Sequence, residues 1–164
     1  MSGESTQPAT TDVVGTRVLD APVEEVWRAW VEPELIKEWW GPTGFTVPVA
    51  EMDVREGGES LVTMAVPGFT VYNTWTYSRV VPLERLEFVN RFVDADRQVR
   101  DPQVFGVPPG VPREVPHVVT FRALPGGRTE MTLTESGYET AEAAAGSSAG
   151  LEQTFDKLVE LLTR

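Results

Sequence analysis

The sequence predicts an α+β domain, an antiparallel meander with helices at both of its ends. Three observations carry this. Two proline-initiated helical segments follow a first short strand. From Phe45 to Gly137 the apolar pattern has a period of two. The chain then returns to a helical period, with Leu151, Phe155, Leu158, Val159 and Leu162 at i, i+4, i+7, i+8 and i+11.

Residues 1–11 are polar and poor in apolar side chains, which predicts a disordered tail ahead of a single domain over 12–164. Val13 to Leu19 reads as a strand. Pro22 suits a first helical position, and Glu24 and Glu25 suit the positive end of the helix dipole. Val23, Val26, Trp27 and Trp30 form one apolar stripe. Pro33 starts a second short helix over Glu34 to Trp39, which Gly41-Pro42 stops. Strands are predicted over Val47–Val54, Ser60–Val66, Thr70–Val81, Leu86–Val93, His117–Ala123 and Thr129–Ser136. On the long fourth segment Trp75 and Tyr77 lie on one face, expected to meet the C-terminal helix. The Thr and Ser residues lie on the other, expected to face solvent. Residues 94–116 are charged and proline-rich, a long loop of the kind that forms lids. Ala141 to Ala145 precedes the last helix, and Gly146-Ser147-Ser148 is expected to break or start it.

Composition excludes several chemistries. The chain has 164 residues, no cysteine and one histidine, so disulfides, thiolate sites, Cys nucleophiles and two-His metal sites are ruled out. Fourteen basic against 25 acidic residues leave a net charge of −11, which argues against nucleic acid and anionic membranes as partners. No apolar run approaches the roughly 20 residues that span a bilayer, and no signal peptide is visible. The expectation is a soluble cytoplasmic protein. Gly57-Gly58 and Gly126-Gly127 are turns without a following helix, hence not phosphate loops. Glu51 with Asp53 reads as a solvated strand edge, so neither metal nor cofactor is expected.

Several local sequences carry a family resemblance. They are Ala21-Pro22-Val23-Glu24-Glu25-Val26-Trp27-Arg28-Ala29-Trp30, Pro33-Glu34-Leu35, Trp39-Trp40-Gly41-Pro42 with Phe45, Asp53-Val54-Arg55-Glu56-Gly57-Gly58, and the turn Val80 to Leu86. Over roughly residues 13–163 the chain resembles the START-like (SRPBCC) superfamily and, within it, the stand-alone bacterial homologues of the activator of the heat-shock-protein-90 ATPase. It departs from that pattern at Leu83, at Gly150-Leu151 and in the long loop 94–116. The resemblance implies a helix-grip fold, a curved sheet of about six to seven strands around the C-terminal helix, with a cavity between them. A chaperone partner follows from the family name alone, and either a monomer or a homodimer is compatible with it. Fold breadth of this kind does not decide activity.

Strand parity assigns the inward face. It carries Phe88, Phe121 and Met131, and also the polar groups Asn73, Asn90, His117 and Glu135. A few polar groups in an apolar concavity are what orient a ligand. Near strand ends, Asn73, His117 and Glu135 read equally as a solvated rim; Asn90 is mid-strand and requires a partner. Trp39 and Trp40 cannot both face inward from one helical turn, so one packs and the other reaches the cavity mouth. Trp40, Phe45, Met64, Phe69, Trp75 and Tyr77 are candidates for wall or rim, with core packing the competing reading for Trp75. Phe155, Leu158 and Val159 are expected to form the floor.

The function expected is the binding of a small, mostly apolar molecule, with loop 94–116 at the entrance. The alternative is a cyclase- or dehydratase-like enzyme using His117, Glu135 and Asn90, with His117 paired to Glu135 as general base. A co-chaperone role is the third reading.

Overall fold

The computed structural model describes residues 10–164, and most of the expected tail lies outside them. The chain runs β1 (Thr11–Leu19), α1 (Val23–Val31), α2 (Pro33–Trp39), β2 (Ala50–Glu51), β3 (Glu59–Val66), β4 (Phe69–Val81), β5 (Arg85–Val93), β6 (Glu114–Leu124), β7 (Arg128–Tyr138) and α3 (Ala141–Leu162). A 3-10 turn at Pro102–Phe105 lies between β5 and β6. The strands form one antiparallel sheet in the order β1-β7-β6-β5-β4-β3-β2. Sequential hairpins build β2 to β7, and β1 closes onto β7. The helical connection α1–α2 therefore crosses from one edge of the sheet to the other.

Four expectations are corrected. The strand expected over Val47–Val54 pairs with β3 only at Ala50–Glu51, with an isolated bridge from Thr46 to Ala65. Pro48 has no N–H for a ladder, and the Thr63 hydroxyl oxygen instead accepts from the Val49 amide at 3.0 Å. Helix α3 is not interrupted at Gly146-Ser147-Ser148; it runs unbroken from a Thr140 cap, whose hydroxyl accepts from the Ala143 amide. A helical glycine costs about 1 kcal/mol relative to alanine, too little to break a helix held along its length by packing. Loop 94–116 ends early because β6 starts at Glu114. Pro116 is tolerated there because the β6–β7 ladder begins only at His117. Finally, the Thr face of β4 is not uniformly exposed. Thr74 is buried between its cross-strand neighbours Leu61 and Arg91, whose longer side chains flank it.

The Trp/Tyr face of β4 meets the α1–α2 connection rather than α3. Trp75 lies 4.9 Å from the Trp40 ring and 6.2 Å from Trp30, and both of these contact Trp39. Three of these four indoles have a partner for the polar edge: Trp39 Nε1 donates to the Ala29 carbonyl, Trp30 Nε1 to Met131 Sδ, and Trp75 Nε1 to Asn90 Oδ1. Helix α3 packs on β1. A Cβ at Gly15 would stand 3.0 Å from the ends of the Leu151 and Phe155 side chains, so glycine lets both lie directly on the strand without shifting. Arg17 then ties the strand to Glu152 and Asp156 of α3. One continuous core results, running from the indole cluster under β4 to the Leu151–Phe155 seam under β1. The site lies beside it, lined by Trp40 from the first part and Leu151 from the second.

Candidate functional site

A cavity of about 560 Å³ opens between the sheet and the first half of α3. Four elements build it. Ala143, Gly146, Ser147, Gly150, Leu151 and Thr154 form the α3 wall, a stripe at helical spacing dominated by small residues. Opposite, the 40–45 turn contributes Trp40, Pro42 and Phe45. This turn is fastened to α3: Gln153 Oε1 accepts from the Thr43 amide at 3.0 Å, and Lys157 Nζ reaches the Trp40 and Phe45 carbonyls at 3.4 Å. Burial lowers the Lys157 pKa from its usual value. The sheet adds Met64, Phe69, Val71 and Phe92.

The fourth wall is the long loop, through Phe105, Val107, Pro108 and Val111. Phe105 packs against Phe92 with ring centroids 6.1 Å apart. The far end of the loop is anchored to the β7–α3 corner, where Glu139 N donates to the Gly110 carbonyl at 2.8 Å. A Cβ at Gly110 would collide with Thr140 Oγ1, so the loop lies against the helix cap only because this residue is glycine. Val104, beside Phe105, points to solvent.

One polar cluster interrupts these walls. His117 and Glu135 are direct cross-strand partners on β6 and β7. His117 Nε2 lies 2.9 Å from Glu135 Oε2. The other ring nitrogen, Nδ1, is 2.8 Å from the Val115 carbonyl, an acceptor, so Nδ1 carries a proton and donates. The imidazole stacks on Phe88, which stacks on Trp75. Glu135 Oε1 accepts from Ser147 at 2.7 Å and from Tyr138 at 3.1 Å. Burial pushes the Glu135 carboxyl pKa up, but the positive charge of His117 and the hydrogen bonds from His117, Ser147 and Tyr138 outweigh it, and the net shift is downward. Burial is also the main reason that the Tyr138 phenol is raised above its usual value, with the neighbouring carboxylate adding to it. A carboxylate with a depressed folded-state pKa stabilises the fold above the usual carboxylate range and loses that contribution as pH falls below it. Stability is therefore expected to drop as pH falls below about 5, with a smaller slope in Glu135→Gln. Urea midpoints measured across this range check it, and identical slopes in the two proteins would refute it.

Of the residues singled out from sequence, Trp40, Phe45, Met64, Phe69 and Glu135 line the cavity. Asn73, Trp75, Tyr77, Phe88, His117, Phe121, Met131, Phe155 and Leu158 are buried and do not line it, and neither do the half-buried Asn90 and Val159. Asn90 orients Trp75, Tyr77 bonds to Ser60, and Phe121 packs edge-on against Trp27. The α3 surface of the cavity is formed by residues between Ala143 and Thr154, on the N-terminal side of Phe155, Leu158 and Val159.

Sequence reasoning missed Tyr138 and Ser147, and it set loop 94–116 at the entrance without naming the residues that line the cavity. Tyr138 stands three positions after Glu135, which strict alternation places on the opposite face. In the structure the step from Glu135 to Tyr138 opposes only the step from Val13 to Thr11, a bulge, and Gly137 within it has φ of +99°. That bulge brings both side chains to one point. The small residues at 143, 146, 147 and 150 were the available signal for the α3 wall.

A sheet that curls against one long helix and leaves a cavity between them defines a helix-grip domain of the START-like type. The chain belongs to the activator of Hsp90 ATPase homolog 1-like family, whose model matches residues 20–163. It is similar to a solved protein from Chromobacterium violaceum at 26% identity, with a TM-score of 0.76 over 93% of this chain and 97% of that one. A protein from Nitrosomonas europaea is 25% identical with a TM-score of 0.73, covering 93% and 94%. An AHSA1 protein from Silicibacter pomeroyi shares the fold at 18% identity, with a TM-score of 0.75 over 93% and 98%. No curated protein matches the chain. The family and fold place it in a class of ligand-binding domains. Among the described residues no helix is long and apolar enough to cross a membrane.

Proposed function

We propose that this domain binds a small, mostly apolar molecule in the cavity between the sheet and α3. The observation that carries the reading is a space of about 560 Å³, within the usual range for small-molecule sites, whose walls are apolar except at one convergent polar cluster. Each ligand methylene buried there contributes about 0.8 kcal/mol. The loop from Pro102 to Val111 is the gate: it is held at its ends, and Phe105 closes over Phe92.

The same geometry favours binding over catalysis. Both ring nitrogens of His117 are engaged, and the ring lies behind Glu135 rather than on the cavity wall. Glu135 is the acid–base group that reaches the cavity, and a carboxylate with a depressed pKa is a weak base near neutral pH. A thermal-shift screen against lipids, steroids and aromatic polyketides tests the proposal. A true ligand at about 100 times its Kd is expected to add about 2.7 kcal/mol of stability. If no class shifts the melting temperature or the tryptophan fluorescence, the proposal fails.

A further inference from the structure

The polar cluster at the cavity has more acceptors than protons. Three oxygens, Glu135 Oε1, Ser147 Oγ and Tyr138 Oη, lie within 3.1 Å of one another in a triangle. The two hydroxyls bring one proton each. Ser147 gives its proton to the carboxylate over the shortest edge, 2.7 Å. Tyr138 spends its own inside the triangle as well. On the other carboxylate oxygen, Nε2 of His117 fills one position. Thr154, the remaining hydroxyl on the cavity wall, donates to the Gly150 carbonyl at 2.9 Å. No lining hydroxyl has a free proton, whereas the carboxylate and Ser147 Oγ keep lone pairs unused.

Building on the cavity-binding reading, we propose that the Glu135–Ser147–Tyr138 cluster selects an apolar ligand whose head donates a hydrogen bond, an alcohol or an amine. It disfavours heads that only accept, such as ethers, esters and carboxylates. An acceptor head must draw the Ser147 proton away from a carboxylate, giving up a charge-assisted bond. A donor head adds one without breaking any. The Trp40 indole N–H, without a hydrogen-bond partner among the described residues, is a neutral donor on the wall formed by the 40–45 turn and lies outside this cluster.

Four matched probes test this, titrated into the full chain and read by intrinsic tryptophan fluorescence: 1-decanol, decylammonium, decyl methyl ether and decanoate. The decanol and ether pair is uncharged, so the protein's net charge of −11 does not enter that comparison. Decanol is expected to bind at least about tenfold more tightly than the ether, the increment of one hydrogen bond to a charged acceptor. Decylammonium is expected to bind more tightly than decanoate. Equal affinities for decanol and ether overturn the selectivity while leaving the cavity reading intact. Tighter ether binding overturns it too. Binding of none of the four overturns both.

Discussion

Replacing Gly146 with leucine is expected to weaken ligand binding by about tenfold or more while the fold becomes slightly more stable. Gly146 lies on the α3 wall, in the stripe with Ala143, Ser147 and Gly150, and a Cβ built there meets nothing within 4 Å. A leucine side chain fits there without a clash, and its inward rotamers enter the cavity that Gly146 lines. It adds four non-hydrogen atoms where ligand atoms would sit, each worth at least about 0.3 kcal/mol to a ligand. The helix gains about 0.8 kcal/mol from losing a glycine. This corresponds to a rise of about 2–3 °C in melting temperature for a domain of this size. Circular dichroism melts with a parallel titration of decanol check both halves. A variant that melts earlier and binds normally would show that Gly146 serves the helix and not the cavity.

Removing the imidazole in His117→Ala is expected to cost about 3–5 kcal/mol, the usual result of leaving a buried carboxylate without its partner. His117 and Glu135 expose only 5% and 9% of their side chains, so the orphaned carboxylate oxygen gains little water in compensation. The lost stack against Phe88 adds to the cost. The melting temperature should fall by roughly 6–20 °C. Replacing both partners with apolar residues, His117→Phe together with Glu135→Leu, is expected to recover most of the loss, because no unpaired charge remains. Urea denaturation of the two single variants and the double variant measures the coupling. Additive losses would mean that the two side chains are held independently.

Strand parity placed His117 and Glu135 on one face, and the structure makes them partners across β6 and β7. Parity works there because both lie in regular ladder. It failed at Tyr138, where the Gly137 bulge adds a residue, and it could not show which inward side chains reach open space. Trp75 and Phe88 face inward as expected but are covered by Trp40 and His117. The reading of Gly146-Ser147-Ser148 as a break weighed local propensity alone. In the folded chain, the cap at Thr140 and the packing of Leu151 and Phe155 on Gly15 hold the helix through it.

Local periodicity, set by side chains repeating every two or 3.6 residues, determined by itself the order of elements, the inward face of each strand and the buried stripe of α3. Composition excluded cysteine chemistry and paired-histidine metal sites. Tertiary structure alone decided that α1 and α2 fill one end of the sheet with indoles while small residues of α3 leave the other end open. That division depends on where helices dock across the sheet. Contacts between residues more than a hundred positions apart, such as Trp30 with Met131 and Thr43 with Gln153, set it, and no local pattern records them.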